Sequence, residues 1–150
     1  MAEGIFAAAA AREGLIVASD SAGIMAREGL PPEPEAVHVA QSYGVAIGQL
    51  RSRAVVPEDF IRHDYLMVMD MSHVDYLRAV GGTEAPARLY LVSQFAENRV
   101  PLEIPDPYGG PRRGFDKAYG LISRGVEGFV DFLRFGGEEP DGGPLNQPAD

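Results

Sequence analysis

The sequence predicts an α/β domain with a parallel sheet, and three observations predict it. Short continuous apolar runs, Leu15-Ile16-Val17-Ala18, Tyr65-Leu66-Met67-Val68-Met69 and Arg88-Leu89-Tyr90-Leu91-Val92, alternate with segments of helical character. The last of these segments, from about 114 to 134, places Phe115, Tyr119, Ile122, Val126, Phe129 and Leu133 at spacings of three and four, the mark of an amphipathic helix. A hydrophobic content of 45% over 150 residues suits one globular core. The order helix, strand, helix, strand, helix, strand, helix is that of parallel strands joined by crossover helices.

Residues 1–13 read as a helix because the alanines from Ala7 to Ala11 are strong helix formers, and Ile5, Phe6 and Ala9 give it an apolar side that Gly14 ends. No capping Ser, Thr, Asp or Asn precedes it, so the pattern is already under way at residue one. That leads us to expect that the opening strand of a βαβ unit is missing from this chain. Residues 15–18 are expected as a buried strand running into the loop Ser19-Asp20-Ser21-Ala22-Gly23. Pro34 suits the first turn of a helix carrying Ala36, Val37, Val39 and Ala40 and closed by Gly44, and Pro57-Glu58-Asp59-Phe60 opens a further short helix. Ser72 with Asp75 resembles a capping box ahead of a helix that turns Val74 and Leu77 inward. Residues 1–135 therefore form the expected domain, and residues 136–150, rich in Gly, Pro, Glu and Asp, read as a disordered tail.

A formal net charge of −9 and a pI near 4.7 argue against nucleic acid, whose phosphates select clustered Lys and Arg. No apolar run approaches the roughly 20 residues that cross a bilayer, and Met1-Ala2-Glu3 lacks the basic start of a secretory leader, so a soluble, cytoplasmic protein is expected. The chain has no cysteine, which excludes disulfides, thiolate metal sites and a cysteine nucleophile within it. His38, His63 and His73 do not pair at helical spacing, and neither a metal nor a cofactor is expected. Met67 and Met69 read as strand packing, and Asp59, Asp64 and Asp70 as caps and strand ends, not as an acid pair for glycoside hydrolysis.

A series of short motifs then occurs in one order: Met1-Ala2-Glu3-Gly4-Ile5-Phe6, Asp20-Ser21-Ala22-Gly23, Gly44-Val45 through Arg51-Ser52-Arg53, Pro57-Glu58-Asp59-Phe60, Asp64-Tyr65, Met69-Asp70, and Asp106-Pro107-Tyr108-Gly109-Gly110 followed by Phe115. This order resembles the low molecular weight protein tyrosine phosphatases from the first residue to about Arg134. The resemblance implies a doubly wound, three-layer fold with a parallel sheet whose first, interior strand feeds a Cys-x5-Arg-Ser-Pro phosphate loop. The opening Met-Ala-Glu resembles the segment after that loop, so the strand, the nucleophilic Cys and the phosphate-binding Arg are expected to be absent here.

In the family, a thiolate attacks phosphorus, the loop arginine holds the equatorial oxygens, and an aspartic acid protonates the leaving phenolate before activating water. Asp106 matches that acid. Tyr108 matches an aromatic beside the phosphotyrosine ring, and Ser21 a position that supports the phosphate loop by hydrogen bonds, although a local turn-capping role fits Ser21 equally. Arg53 matches a family arginine for which a structural ion pair is the better reading. The implied partners are phosphotyrosine proteins or small aryl phosphates.

Departures from the family pattern are also visible. Met25-Ala26-Arg27 stands where relatives carry an aromatic in a loop about one residue longer, Glu35 stands for an arginine, Leu50 for a histidine, His73 for an asparagine, and Gly109 for a second aromatic. The expected function is hydrolysis of aryl phosphomonoesters through a phosphocysteine in a complete protein, with the 150-residue chain itself inactive and aggregated or molten. A non-catalytic binding remnant is the alternative, and an arsenate reductase ranks lower because its recycling needs further cysteines.

Overall fold

A computed structural model describes residues 1–81, 86–97 and 101–146. The first helix, α1 (Ala2–Arg12), is followed by an extended stretch, then α2 (Pro34–Ser42), the short α3 (Asp59–Arg62), strand β1 (Tyr65–Val68), α4 (Met71–Gly81), strand β2 (Arg88–Leu91), a 3-10 turn (Val92–Phe95) and the long α5 (Arg112–Phe135). The two strands pair in parallel, with Tyr65 opposite Arg88 and Val68 opposite Leu91.

Side-chain alternation along the strands divides the core into two halves. Met67 and Met69 pack against the larger one, built from Ile5 and Ala9 of α1, Val39 and Ala40 of α2, and Phe115, Ile122, Val126 and Val130 of α5. Leu66, Val68, Leu89 and Leu91 turn to the other face, where Phe60 of α3 and Val74 and Leu77 of α4 complete a second cluster. A period-two strand between helices on both faces is the three-layer arrangement the sequence implies. The methionines are packing residues, as expected.

Residues 15–18 depart from the expected strand. Leu15 packs on the larger cluster, but Ile16 is fully exposed and no strand ladder includes the segment. Its tie to the rest of the fold comes a few residues later, through an isolated parallel bridge between Gly23 and Ala54. Among the described residues β1 is paired only to β2, and residues 15–18 enter no ladder. An apolar run supplies strand propensity, but backbone pairing needs a neighbour.

The helix from 71 is capped differently from the Ser72/Asp75 expectation. Asp70 Oδ1 accepts hydrogen bonds from the His73 N–H at 3.0 Å and the Ser72 hydroxyl at 2.6 Å, so the capping carboxylate comes from the strand end.

The segment after α5 also departs from expectation over residues 137–146. The Leu145 N–H donates to the Leu89 carbonyl at 2.7 Å, Glu139 pairs with Arg88 at 2.7 Å, and the Leu145 side chain joins the α3/α4 cluster. The polar composition hid a single apolar anchor and a side chain that mimics backbone. Residues 147–150 of the expected tail lie outside the described residues.

Candidate active site

In a parallel α/β sheet the carboxyl ends of the strands open into loops, and ligands bind there. The chain after β1 turns at Met69-Asp70, and the Met69 carbonyl accepts the Ile104 N–H at 2.9 Å. Met71 N–H donates to Glu103 Oε1 at 3.0 Å. These two bonds fasten residues 103–104 to the carboxyl end of β1, and Ile104 is buried in the larger core. Pro105 leaves that anchor and Asp106 follows it into solvent.

Asp106, Pro107 and Tyr108 form a turn in which Asp106 Oδ1 accepts the Tyr108 N–H at 3.0 Å and the Pro107 carbonyl accepts the Gly110 N–H at 2.9 Å. One carboxylate oxygen is thereby oriented, and no ion pair to Asp106 occurs among the described residues. Tyr108 is 73% exposed, with its ring free to meet a ligand. Gly109 adopts φ +69°, a conformation that strains an aromatic residue, which accounts for the glycine at this position. Beside the turn, Asp70, Ser72, Glu103, Ile104 and Pro105 line a cleft of about 330 Å³. Its two carboxylates make it unsuited to an anion. Both are already engaged with backbone N–H groups, and those of Ser72 and His73, with the Ser72 hydroxyl, hold the Asp70 carboxyl below its ordinary range against the opposing effect of its burial.

Ser21 lies in the loop after the exposed residues 15–18. Its hydroxyl donates to Glu3 Oε2 at 2.5 Å, which ties the loop to the first turn of α1. Its N–H donates to Asp20 Oδ1 at 2.7 Å. The Asp20 carboxylate in turn receives Arg53, at 2.8 Å from Nη2 and 3.0 Å from Nε. Arg53 also makes a two-pronged contact with Asp59, Nη1 to Oδ2 at 2.8 Å and Nη2 to Oδ1 at 2.9 Å.

Asp59 is 2% exposed, and the Val56 N–H donates to it at 3.0 Å. Burial alone would raise the Asp59 carboxyl. Arg53 and the Val56 N–H outweigh it and hold the group below the ordinary carboxylate range. Asp59, then Asp20, raise the Arg53 guanidinium against the effect of burial. Arg53 is thus an ion-pairing residue that joins the Ser21 loop to α3.

The expected site residues therefore fall into two groups. Asp106 and Tyr108 share one turn, while Ser21 is bound to α1 and, through Asp20, to Arg53; no hydrogen bond or ion pair joins the two groups among the described residues. Glu3 was not foreseen as a partner of Ser21, because an acid in a first helical turn reads first as a response to the helix dipole. Glu35, a departure from the family pattern, pairs with Arg112 at 2.7 Å, so an acid on α2 meets the first residue of α5. Among the described residues no group of His, Cys, Asp or Glu could hold a metal ion, and no helix is long and apolar enough to cross a membrane.

A three-layer parallel α/β fold, with the Asp106 turn fastened at the carboxyl end of β1, places the chain in the α/β class. The family profile described as low molecular weight phosphotyrosine protein phosphatase matches residues 1–136, and the chain belongs to that family. The low molecular weight protein-tyrosine-phosphatase of Streptomyces coelicolor is 32% identical over 89% of this chain and 85% of its own length. YfkJ of Bacillus subtilis, a low molecular weight protein-tyrosine-phosphatase, is 29% identical over 85% of this chain and 82% of its own. The crystal structure of a protein tyrosine phosphatase from Entamoeba histolytica superposes with a TM-score of 0.84 at 25% identity, covering 90% of this chain and 88% of that one. The family is one of phosphoric monoester hydrolases. The 150 residues themselves contain no cysteine.

Proposed function

We propose that this chain carries the acid–base and aryl-binding side of phosphotyrosine hydrolysis, acting in the cytoplasm on phosphotyrosine proteins or small aryl phosphates. The carrying observation is the Asp106 carboxylate, held by the Tyr108 N–H on a turn fastened to the carboxyl end of β1. In this reading Asp106 protonates the phenolate oxygen as the P–O bond breaks, then takes a proton from the water that attacks phosphorus. Tyr108 flanks the aryl ring, and Ser21, held by Glu3, supports the phosphate-binding side. An attacking thiolate has to come from outside these 150 residues, since the chain has no cysteine to attack with.

The test compares the 150-residue chain with the same chain extended at its N-terminus by an apolar strand and a Cys-x5-Arg-Ser-Pro loop. The chain alone is expected to leave p-nitrophenyl phosphate intact, and the extended chain to hydrolyse it. In the extended chain Asp106→Asn should lower kcat about 100-fold to 10,000-fold, the usual contribution of a positioned general acid. Turnover by the unextended chain, or an extended Asp106→Asn variant at full rate, would overturn the assignment. The absence of cysteine also favours a second reading, a non-catalytic binder. Saturable binding of millimolar phosphate to the unextended chain, followed by tyrosine fluorescence, would support it.

A further inference from the structure

The outer edge of β2 is closed without a third strand. The Leu89 N–H donates to Asn146 Oδ1 at 2.9 Å, and the Leu89 carbonyl accepts the Leu145 N–H at 2.7 Å. Asn146 Nδ2 donates to the Ala87 carbonyl at 2.8 Å, and the Leu91 N–H donates to Gln94 Oε1 at 2.8 Å. The Asn146 amide therefore offers a donor and an acceptor to the edge, as one residue of a neighbouring strand would.

Further contacts hold the segment in place. Arg78 Nε donates to the Leu145 carbonyl at 2.7 Å, Gln94 Nε2 donates to the Gly143 carbonyl at 3.2 Å, and Arg88 pairs with Glu139 at 2.7 Å. The Leu145 side chain is packed against the cluster of Phe60, Val74, Leu77 and Leu89.

Stripped of this segment, the edge would be one that associates. Residues 88–92 are rich in apolar and aromatic side chains, hold one charge and no proline, and present backbone groups in a row. We infer that residues 139–146 are a detachable cap on this edge, and that the surface beneath is complementary to the same edge of a second copy. Two β2 edges related by a two-fold axis through Leu89 would exchange both Leu89 N–H to carbonyl bonds, replacing the bonds lost from Leu145 and Asn146.

The experiment uses the full chain carrying Leu145→Asp and Asn146→Ala, followed by sedimentation velocity over a concentration series and by amide exchange at Leu89. Doubling of the weight-average mass relative to the parent chain at the same concentrations is the expected result. A synthetic peptide of residues 138–146 should return the variant to the parental mass. At the lowest concentration the Leu89 amide should exchange about tenfold faster than in the parent, the effect of losing one hydrogen bond. The single variant Asn146→Ala removes no buried apolar group and serves where the double variant loses its far-UV circular dichroism. Unchanged Leu89 exchange in the single variant, a double variant of parental mass, or a parent whose Leu89 protection rises with its own concentration would each overturn the cap.

Discussion

Arg53 shows what a single residue does at this site and how the pH scale exposes it. Its guanidinium spans Asp20, which leads into the Ser21 loop, and Asp59, which is buried at the start of α3. Breaking a buried pair leaves an uncompensated carboxylate, which costs about 3–5 kcal/mol. Arg53 is partly open to solvent, so Arg53→Ala should fall near the lower end, about 3 kcal/mol, measured by urea unfolding. The Asp59 carboxyl lies lower in the fold than in the unfolded chain. Its contribution to stability is therefore complete above the unfolded value of about 3.9 and is lost as pH falls below that and through the folded value. Melting temperatures followed from pH 5 downward should fall more steeply in the parent than in Asp59→Asn, which starts lower and has no such proton to take up. The ion-pair role of Arg53 was legible, but its partner was not: Asp59 reads locally as a helix-start acid, and a separation of six residues through irregular chain follows no spacing rule. The pairing of Ser21 with Glu3 escaped for the same reason, the two being brought together by the packing of a loop on a helix.

At the scale of elements, α5 was the most legible feature because its stripe of Phe115, Tyr119, Ile122, Val126 and Phe129 repeats at the helical period, and all five are buried. Its glycines were not legible. At Gly125 and Gly128 a Cβ would collide with the carbonyl oxygens of Val92 and Phe95, so at these points the helix lies directly on the 3-10 turn after β2. A side chain there meets backbone, which cannot swing aside. Gly128→Ala should therefore destabilise the chain by about 1–3 kcal/mol, the range for overpacking. Gly120 has open space around its Cα in the same helix, and Gly120→Ala should instead stabilise by up to about 1 kcal/mol through helix propensity. Opposite signs from one substitution on one helix, read by thermal melts of the two variants, separate close approach from propensity. The two strands of the ladder were legible to within a residue, while residues 15–18 show the limit of an apolar run as evidence: it specifies what a segment can do beside a neighbour and leaves open whether the neighbour is there.

For the whole molecule the decisive quantity is how the sheet's edges are treated. β2 has its outer edge covered by residues 139–146 and is buried at Leu89, Tyr90 and Leu91, whereas in β1 only Val68 is buried. Among the described residues β1 pairs with β2 alone, and the nearest strand-like sequence before it leaves Ile16 fully exposed and Val17 42% exposed. Ile16 and Val17, two of the apolar residues that read as the inside of a sheet, thus face water. Burying one large apolar side chain is worth about 1.5–3 kcal/mol, and a domain's net stability is only about 5–15 kcal/mol, so two or three such residues form a large fraction of the whole. We therefore expect the 150-residue chain to bind a hydrophobic dye such as anilinonaphthalene sulfonate and to melt over a broad range. Extension by a parallel apolar strand, with a serine in place of its loop cysteine so that chemistry plays no part, should quench the dye signal, sharpen the melt and slow exchange of the outward-facing β1 amides. A chain that already melts sharply and excludes the dye, with β1 amides as protected as those of β2, would mean that residues 15–18 or another segment closes that edge in solution, and the open side of the sheet would cease to explain the exposure of Ile16 and Val17.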